Sequence, residues 1–263
     1  MTHADVLVLG GGAAGLMCAI TAARRGRSVI VLEGSNRVGK KILMSGGGRC
    51  NFTNLYCEPA KFVSHNPHFC KSALSRYTQH DFIALVEKQD VAYHEKTLGQ
   101  LFCDNSSKDI VAMLLRECDE SGVRIHTDCA IDQVRQDAGF RVDTNIGSFS
   151  ANAVVVATGG LSIPKMGASG FGYDVARQFG LNVFETRAAL VPFTFTGALH
   201  DMTLRLSGVS VPAAVSANDT QFTENILFTH RGLSGPAILQ ISSFWEPGDE
   251  IVIDLMPGTS ARD

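Results

Sequence analysis

Residues 5–33 constrain this chain more than any other stretch. Asp5–Leu9 is apolar, the segment from Ala13 to Arg25 is rich in helix formers, and Ser28–Leu32 is a second apolar run. Strand, glycine turn, helix and strand in that order predict a βαβ unit, which requires a parallel sheet. The run from Val6 to Ala23 carries no charge and is long enough to raise a membrane-span or signal-peptide reading. Gly10, Gly11 and Gly12 inside it argue against both, and Arg24, Arg25 and Gly26 close the helix with cations in its last turn. The expectation is a cytoplasmic protein with no membrane partner.

Gly10, Gly12 and Gly15 stand as GxGxxG between the first strand and the helix. The first makes the tight turn, the second lets backbone approach a pyrophosphate, and the third lets helix and strand pack closely. Ala13 and Ala14 open the helix, whose N-terminal N–H groups and positive dipole end favour phosphate. Ala19 and Gly26 fit the same pattern, and Glu33 ends the second strand, where a carboxylate can accept hydrogen bonds from both ribose hydroxyls of an adenosine and repels a 2′-phosphate. Gly34 follows it. Together these residues predict a dinucleotide site.

Composition sets outer limits. A chain of 263 residues that is 45% hydrophobic and 19% charged can bury one large core or two smaller ones. Its net charge of −3 offers no global field for a polyanion, so no nucleic-acid partner is expected and a small-molecule substrate is. Seven cysteines form no CxxC pair, which reads as reduced intracellular thiols. The histidines show neither HxH nor HExxH spacing, so no metal site is expected.

Residues 34–54 are rich in Gly, Asn and Ser and carry Arg37, Lys40, Lys41 and Arg49, with no acidic residue between 34 and 49. Such a long loop needs a reason to exist. Gly46, Gly47 and Gly48 can bring backbone N–H groups close to a ligand because no Cβ intervenes. Further along, helices are predicted near 67–77, 79–89 and 107–120, short strands near 91–95 and 100–103, and a third parallel strand over 123–126. Residues 129–150 predict a small antiparallel excursion. Ala153–Ala157 is fully apolar and suits a sheet buried on both faces. From 189 onward prolines punctuate short β-like runs, which predicts a Rossmann-type domain over 1–188 followed by a mostly β subdomain over 189–263. The fold class is α/β.

Four segments carry a family resemblance: the βαβ unit with Glu33, KKILMSGGGRCNFTN at 40–54, VVVATGGLS at 154–162 and LFTHRGLSGPAILQIS at 227–242. They resemble the bacterial YhiN-type flavoproteins, a group labelled NAD(P)/FAD-dependent or aminoacetone-oxidase-like oxidoreductases. The resemblance covers the whole chain. It implies a glutathione-reductase-like FAD-binding fold with an inserted substrate-side region. By that resemblance Gly10, Gly12, Gly15 and Glu33 hold the ADP half, while Lys41, Gly47, Gly48, Arg49, Cys50 and Asn51 run along the pyrophosphate and flavin. Ala157, Thr158, Gly159 and Gly160 match the strand end that passes near the cofactor. Family members continue beyond the equivalent of Asp263 to a closing strand and helix, so the resemblance implies an incomplete flavin-ring end and an unpaired sheet edge.

The function expected is an FAD-dependent oxidoreductase that moves hydride or electrons between a small organic substrate or NAD(P)H and the flavin. No second GxGxxG follows a strand, so NAD(P)H is expected only as a transient donor, and dioxygen remains open as an acceptor. Flavin performs the transfer itself, and no side-chain nucleophile is required. Cys50 sits where loop N–H groups can lower a thiol pKa, against the plainer reading of a small residue packed beside the cofactor. His230 is the candidate for proton transfer, balanced against a structural loop role. Ser234, before Gly235 and Pro236, reads as a helix cap. Two alternatives stay open: an NAD-dependent dehydrogenase, and a non-catalytic flavin- or nucleotide-binding module.

Overall fold

The computed structural model describes residues 1–163 and 167–259. The chain divides into two compact units, Met1–Val183 and residues 184 onward.

In the first unit β1 (Thr2–Leu9), α1 (Ala13–Arg24) and β2 (Val29–Leu32) form the βαβ unit. α1 buries Gly15, Leu16, Ala19 and Ile20, one helical face, and ends where Gly26 takes φ 77°. The uncharged run from Val6 to Ala23 is thus strand, turn and a 12-residue helix, and among the described residues no helix is long and apolar enough to cross a membrane. Next come α2 (Lys40–Met44), β3 (Asn51–Asn54), α3 (Lys71–Arg76), α4 (Gln79–Lys88), β4 (Tyr93–Glu95) and β5 (Gln100–Cys103). The unit closes with α5 (Ser107–Glu120), β6 (Arg124–His126), β7 (Ile131–Gln136), β8 (Phe140–Thr144), β9 (Gly147–Val156) and α6 (Phe171–Gln178).

The main sheet runs β6-β2-β1-β9-β8-β7. Its first four strands are parallel and its last three antiparallel, so the excursion at 129–150 extends the same sheet. Strand alternation splits the core. Val8 and Val31 face α1 and α5, meeting Leu16, Ile20, Ile110 and Leu114. Leu7, Leu9, Ile30 and Leu32 face the other way, toward Val134, Val142, Phe149 and Val175. Each such buried aliphatic side chain contributes about 1.5–3 kcal/mol. A separate sheet, β3-β5-β4, carries the residues that follow the glycine loop.

The apolar end of β9 departs from expectation: Ala153 and Val156 are exposed, and Val154 and Val155 only half-buried. β1 pairs with β9 as far as Val156, whereas β8 pairs with it only from Gly147 to Ala151. Among the described residues the carboxyl half of β9 therefore has a neighbour on one side only.

The second unit contains β10 (Phe193–Thr194), α7 (Gly197–Arg205), β11 (Ser210–Ala217), β12 (Thr220–Thr229), β13 (Gly232–Ser234), α8 (Pro236–Ile241) and β14 (Val252–Asp254). Its strands form an antiparallel sheet in the order β10-β13-β12-β11-β14, with α8 packing Ala237, Ile238 and Ile241 against it. Residues 260–263 of the predicted subdomain lie outside the described residues. Ser234 ends β13 and is not the cap of α8. That position belongs to Gly235, where a Cβ would lie 2.7 Å from Leu227 N and 2.8 Å from Asn225 O.

Candidate functional site

The site forms at the carboxyl ends of β1, β2 and β9, where ligands of open parallel sheets bind. A cavity of about 350 Å³ is lined there by Gly10, Gly12, Ala13, Ala14, Glu33, Lys41, Ala157, Thr158, Gly159 and Gly160, all expected from the sequence. A second cavity of about 560 Å³ adjoins it, sharing Gly10, Glu33, Ser35, Lys40 and Thr158, and adds Gly34, Cys129, Ile131 and Phe171.

The glycines divide by what a side chain would meet. A Cβ at Gly15 would lie 1.9 Å from Gly10 O, so this glycine lets α1 touch the turn. One at Gly10, whose φ is 106°, would lie 2.5 Å from Ala157 O, so this glycine lets β1 and β9 end side by side. Around Gly12 nothing lies within 4 Å. Its missing side chain opens onto the cavity, and α1 starts there without a side-chain cap, leaving its first-turn N–H groups for a ligand.

Glu33 is fixed from three directions. Its Oε2 accepts Gly11 N–H at 2.7 Å, and its Oε1 accepts Ser35 N–H at 2.8 Å and Ser35 Oγ–H at 2.5 Å. On the far wall Thr158 Oγ1 is buried and has no hydrogen-bond partner. Gly172 of α6 permits this burial, because a Cβ there would lie 2.9 Å from that hydroxyl. A buried, unmatched hydroxyl in a cavity wall is a group awaiting a partner. Lys41 Nζ donates to Ser162 Oγ at 2.6 Å and lies close to Gly159, which ties α2 to the loop after β9 and sets a cation beside the glycine cradle. An open Gly12, a fixed carboxylate, a free helix start and a nearby ammonium fit an adenosine diphosphate moiety.

The glycine loop stands apart from both cavities. Gly47, Gly48, Arg49, Cys50 and Asn51 line neither. Gly46, Gly47 and Gly48 all have positive φ, and Cys50 shares this geometry at φ 49°, a strained value for a residue with a side chain. Gly47 and Gly48 have open space where a Cβ would stand, whereas Gly46 meets the ring of Phe102. The possibility of an activated Cys50 thiolate is corrected here: burial raises its pKa, against a smaller lowering by Ser45. Its neighbour Cys103 is pushed up to about 12 by burial first, then by Cys50, Asp109 and Asp104. His230 lies exposed in the turn between β12 and β13, in the second unit.

Lys40, one of the cations of the basic stretch, lines both cavities, while sequence reasoning missed Ser35 and the apolar trio Cys129, Ile131 and Phe171. Ser35 had a local signal, lying two residues after a carboxylate whose oxygen it can bond. The trio had none, since it is gathered from β7, α6 and the turn before β7.

Residues 4–238 match the family described as HI0933-like protein Rossmann domain. The chain belongs to this family. Its fold is accordingly the FAD-binding Rossmann type with a second, mostly antiparallel region. Among HI0933-like relatives, the ribosomal RNA dihydrouridine synthase of Escherichia coli (strain K12) is 54% identical over 259 residues, 98% of this chain. The protein of that name from Haemophilus influenzae is 47% identical over 267 residues, 99% of this chain. This chain spans 65% and 66% of the length of these two relatives. Both are named for dihydrouridine synthesis in ribosomal RNA rather than for aminoacetone oxidation. Among solved structures, glycine oxidase from Geobacillus kaustophilus aligns over 100% of this chain and 75% of its own, with a TM-score of 0.48 and 14% identity.

Proposed function

We propose that this chain binds FAD through the β1–α1–β2 cradle and serves an enzyme that reduces uridine to dihydrouridine in ribosomal RNA. One coincidence carries the reading: the whole cradle lies inside the 259 residues that are 54% identical to a ribosomal RNA dihydrouridine synthase. Glu33 would accept an adenosine ribose hydroxyl at Oε2, and Gly12 with the α1 N-terminus would receive the pyrophosphate. Lys41 would neutralise it, and Thr158 would satisfy its buried hydroxyl on the cofactor. Gly47, Gly48, Arg49, Cys50 and Asn51 would then continue the track toward the flavin ring.

Reducing the C5=C6 bond of uracil adds a hydride to one carbon and a proton to the other. Reduced FAD, when bound, supplies the two electrons. The protein's part is to hold the base against the ring, exclude water and deliver the proton. A net charge of −3 argues against a polyanion field over the whole surface, so this reading replaces the expectation of no nucleic-acid partner with a local one. Arg37, Lys41 and Arg49 are exposed cations on a stretch free of acidic residues, and local cations of this kind suit phosphate.

The test has two parts. Cofactor released from purified protein and weighed by mass spectrometry should be FAD, and NAD or nothing would end the reading. Nucleosides from ribosomal RNA of a strain lacking the gene should lose one dihydrouridine, which a plasmid copy restores. Unchanged dihydrouridine would end the rRNA part and leave the FAD part standing.

A further inference from the structure

A long excursion separates β3 from α4. Residues 55–78 carry a single turn at Pro59–Lys61 and the six-residue α3, which buries none of its residues. The excursion is nevertheless held. Gln79 Nε2 donates to Leu55 O at 2.9 Å, and Leu55 N–H donates to Gly99 O at 2.8 Å. Cys70 Sγ–H donates to Pro59 O at 3.8 Å, which sets Phe69 and Lys71 beside the turn that leads to Phe62. Tyr56 lies on the β4–β5 turn, where a Cβ on Gly99 would fall 2.7 Å from its Cδ2. Two features set this excursion apart from an ordinary solvated loop. Large rings stand in water: Phe69 is 78% exposed, Tyr56 67% and Phe62 46%. Rings exposed together on one loop mark an interaction surface. The second feature is charge. No acidic residue occurs from Pro59 to His80, while Lys61, Lys71 and Arg76 are all exposed. Over residues 56–80 these three cations stand against Glu58 alone, a net +2 in a chain of net −3. Glu58 itself lies 3.4 Å from Lys61 Nζ, and the flanking Asp81 accepts Thr78 N–H at 2.7 Å in the α4 cap.

We propose that this excursion is a docking surface for an unpaired RNA segment, with Tyr56, Phe62 and Phe69 as stacking platforms for bases and Lys61, Lys71 and Arg76 facing phosphates. The inference rests on the uridine reading above and names the form of RNA it would take. Exposed rings interleaved with cations and free of acids are the chemistry of single-strand binding, because every base offers a π-face and every linkage a negative charge. Protein interfaces favour aromatic residues too, but they are depleted in lysine, and two of these three cations are lysines. A duplex keeps its bases stacked on one another and out of reach of protein rings. An enzyme that works on a base must in any case take that base out of the stack, so its substrate region is one with free base faces. The local charge also answers the chain's net −3: a strand that meets these side chains meets a cationic surface on an anionic protein.

The test titrates flavin-loaded protein into a fluorescein-labelled oligouridylate of about twelve nucleotides, within the usual span of one single-strand site, and reads anisotropy over a range of salt. Phe69→Ala should weaken binding about tenfold without changing the salt dependence, since it removes a stacking face and no charge. The Lys71→Gln/Arg76→Gln double variant should lower the slope of log affinity against log salt by about 1.4, the loss of two single-strand phosphate contacts. A fully paired RNA hairpin of similar length should bind at least about tenfold more weakly than the oligouridylate. Both variants should melt with the parent, because the altered side chains are exposed. A parent that binds no oligouridylate, a Phe69→Ala affinity within about twofold of parent, or equal binding of the hairpin would overturn the inference. Self-association that Phe69→Ala abolishes, with no strand binding, would overturn it in favour of a second copy of this chain. The uridine reading is decided apart from this, by the dihydrouridine of the strain lacking the gene. Unchanged dihydrouridine beside intact strand binding would overturn that reading and leave the single-strand surface standing.

Discussion

Glu33 Oε2 accepts the backbone N–H of Gly11 at 2.7 Å, so the last residue of the βαβ unit reaches back across its first turn. Ser35 holds the other oxygen through both its N–H and its hydroxyl. The carboxylate is thus oriented before a ligand arrives: Ser35 fills Oε1 with two hydrogen bonds, while Oε2 keeps one lone pair for a ribose hydroxyl. Glu33→Ala should weaken FAD binding by roughly 1–3 kcal/mol, the range for lost charge-assisted hydrogen bonds. Equal dissociation constants in a fluorescence titration would remove Glu33 from the site.

Two glycines three residues apart, Gly12 and Gly15, should fail differently. Gly12→Val places its side chain in open cavity space, so the apo-protein should melt near the parent temperature yet lose FAD. Gly15→Ala drives a Cβ into Gly10 O and should cost on the order of 3 kcal/mol before any ligand is added. Thermal melts without cofactor, set beside FAD titrations, separate the two. A destabilised Gly12→Val that still binds FAD would reverse the assignment.

Lys41 is exposed, and its ammonium bonds Ser162 beside the cradle. Lys41→Met should lower FAD affinity roughly tenfold and flatten its dependence on salt, because an exposed charge is screened at moderate ionic strength. An unchanged salt dependence would argue that the pyrophosphate lies elsewhere.

Asp143 sits in the β7–β8–β9 meander and accepts the Ser148 hydroxyl at 2.6 Å and Arg141 Nε at 2.9 Å, with Arg135 also paired to it. Ser148 first, then Arg141, hold its pKa at about 2. A pKa depressed on folding contributes stability that is full above the ordinary carboxylate value and is lost as pH falls toward about 2. Acid unfolding of the parent should therefore steepen between about pH 4 and pH 2, and Asp143→Asn should flatten that limb. Superimposable acid titrations would show that Asp143 is not coupled to folding.

Glu117 of α5 is fully buried and is met by Arg24 from α1, by Lys88 Nζ at 3.2 Å and by Gln89 Nε2 at 2.6 Å from the end of α4. Removing one partner leaves a buried carboxylate undersatisfied. Arg24→Met should lower unfolding free energy by about 1–3 kcal/mol in a urea titration, and no change would mean that Lys88 and Gln89 suffice.

The sequence by itself determined the βαβ unit, because apolar runs, a GxGxxG turn and a helix stop at Gly26 are local signals carried by consecutive residues. Ser107–Glu120 was legible for the same reason, its helix opening on the Ser106–Asp109 capping box. Ten of the expected cofactor residues line one cavity because they sit at the ends of β1, β2, α2 and β9, which strand order brings together.

What the tertiary structure decided is everything that depends on a second, distant partner. The run at Ala153–Ala157 reads as fully buried, yet its exposure follows from β8 pairing only as far as Ala151. The sequence leaves Cys50 between an activatable thiol and a plain packed residue, and burial, which raises its pKa, favours the second. Ser234 reads as a cap, yet strand pairing to β12 claims it. His94 in β4 meets Asp104, one residue past the end of β5 and ten residues on in sequence, with no motif to announce it. Hydrophobic period and glycine spacing are short-range quantities, whereas burial, pairing and side-chain coupling arise only when remote segments meet.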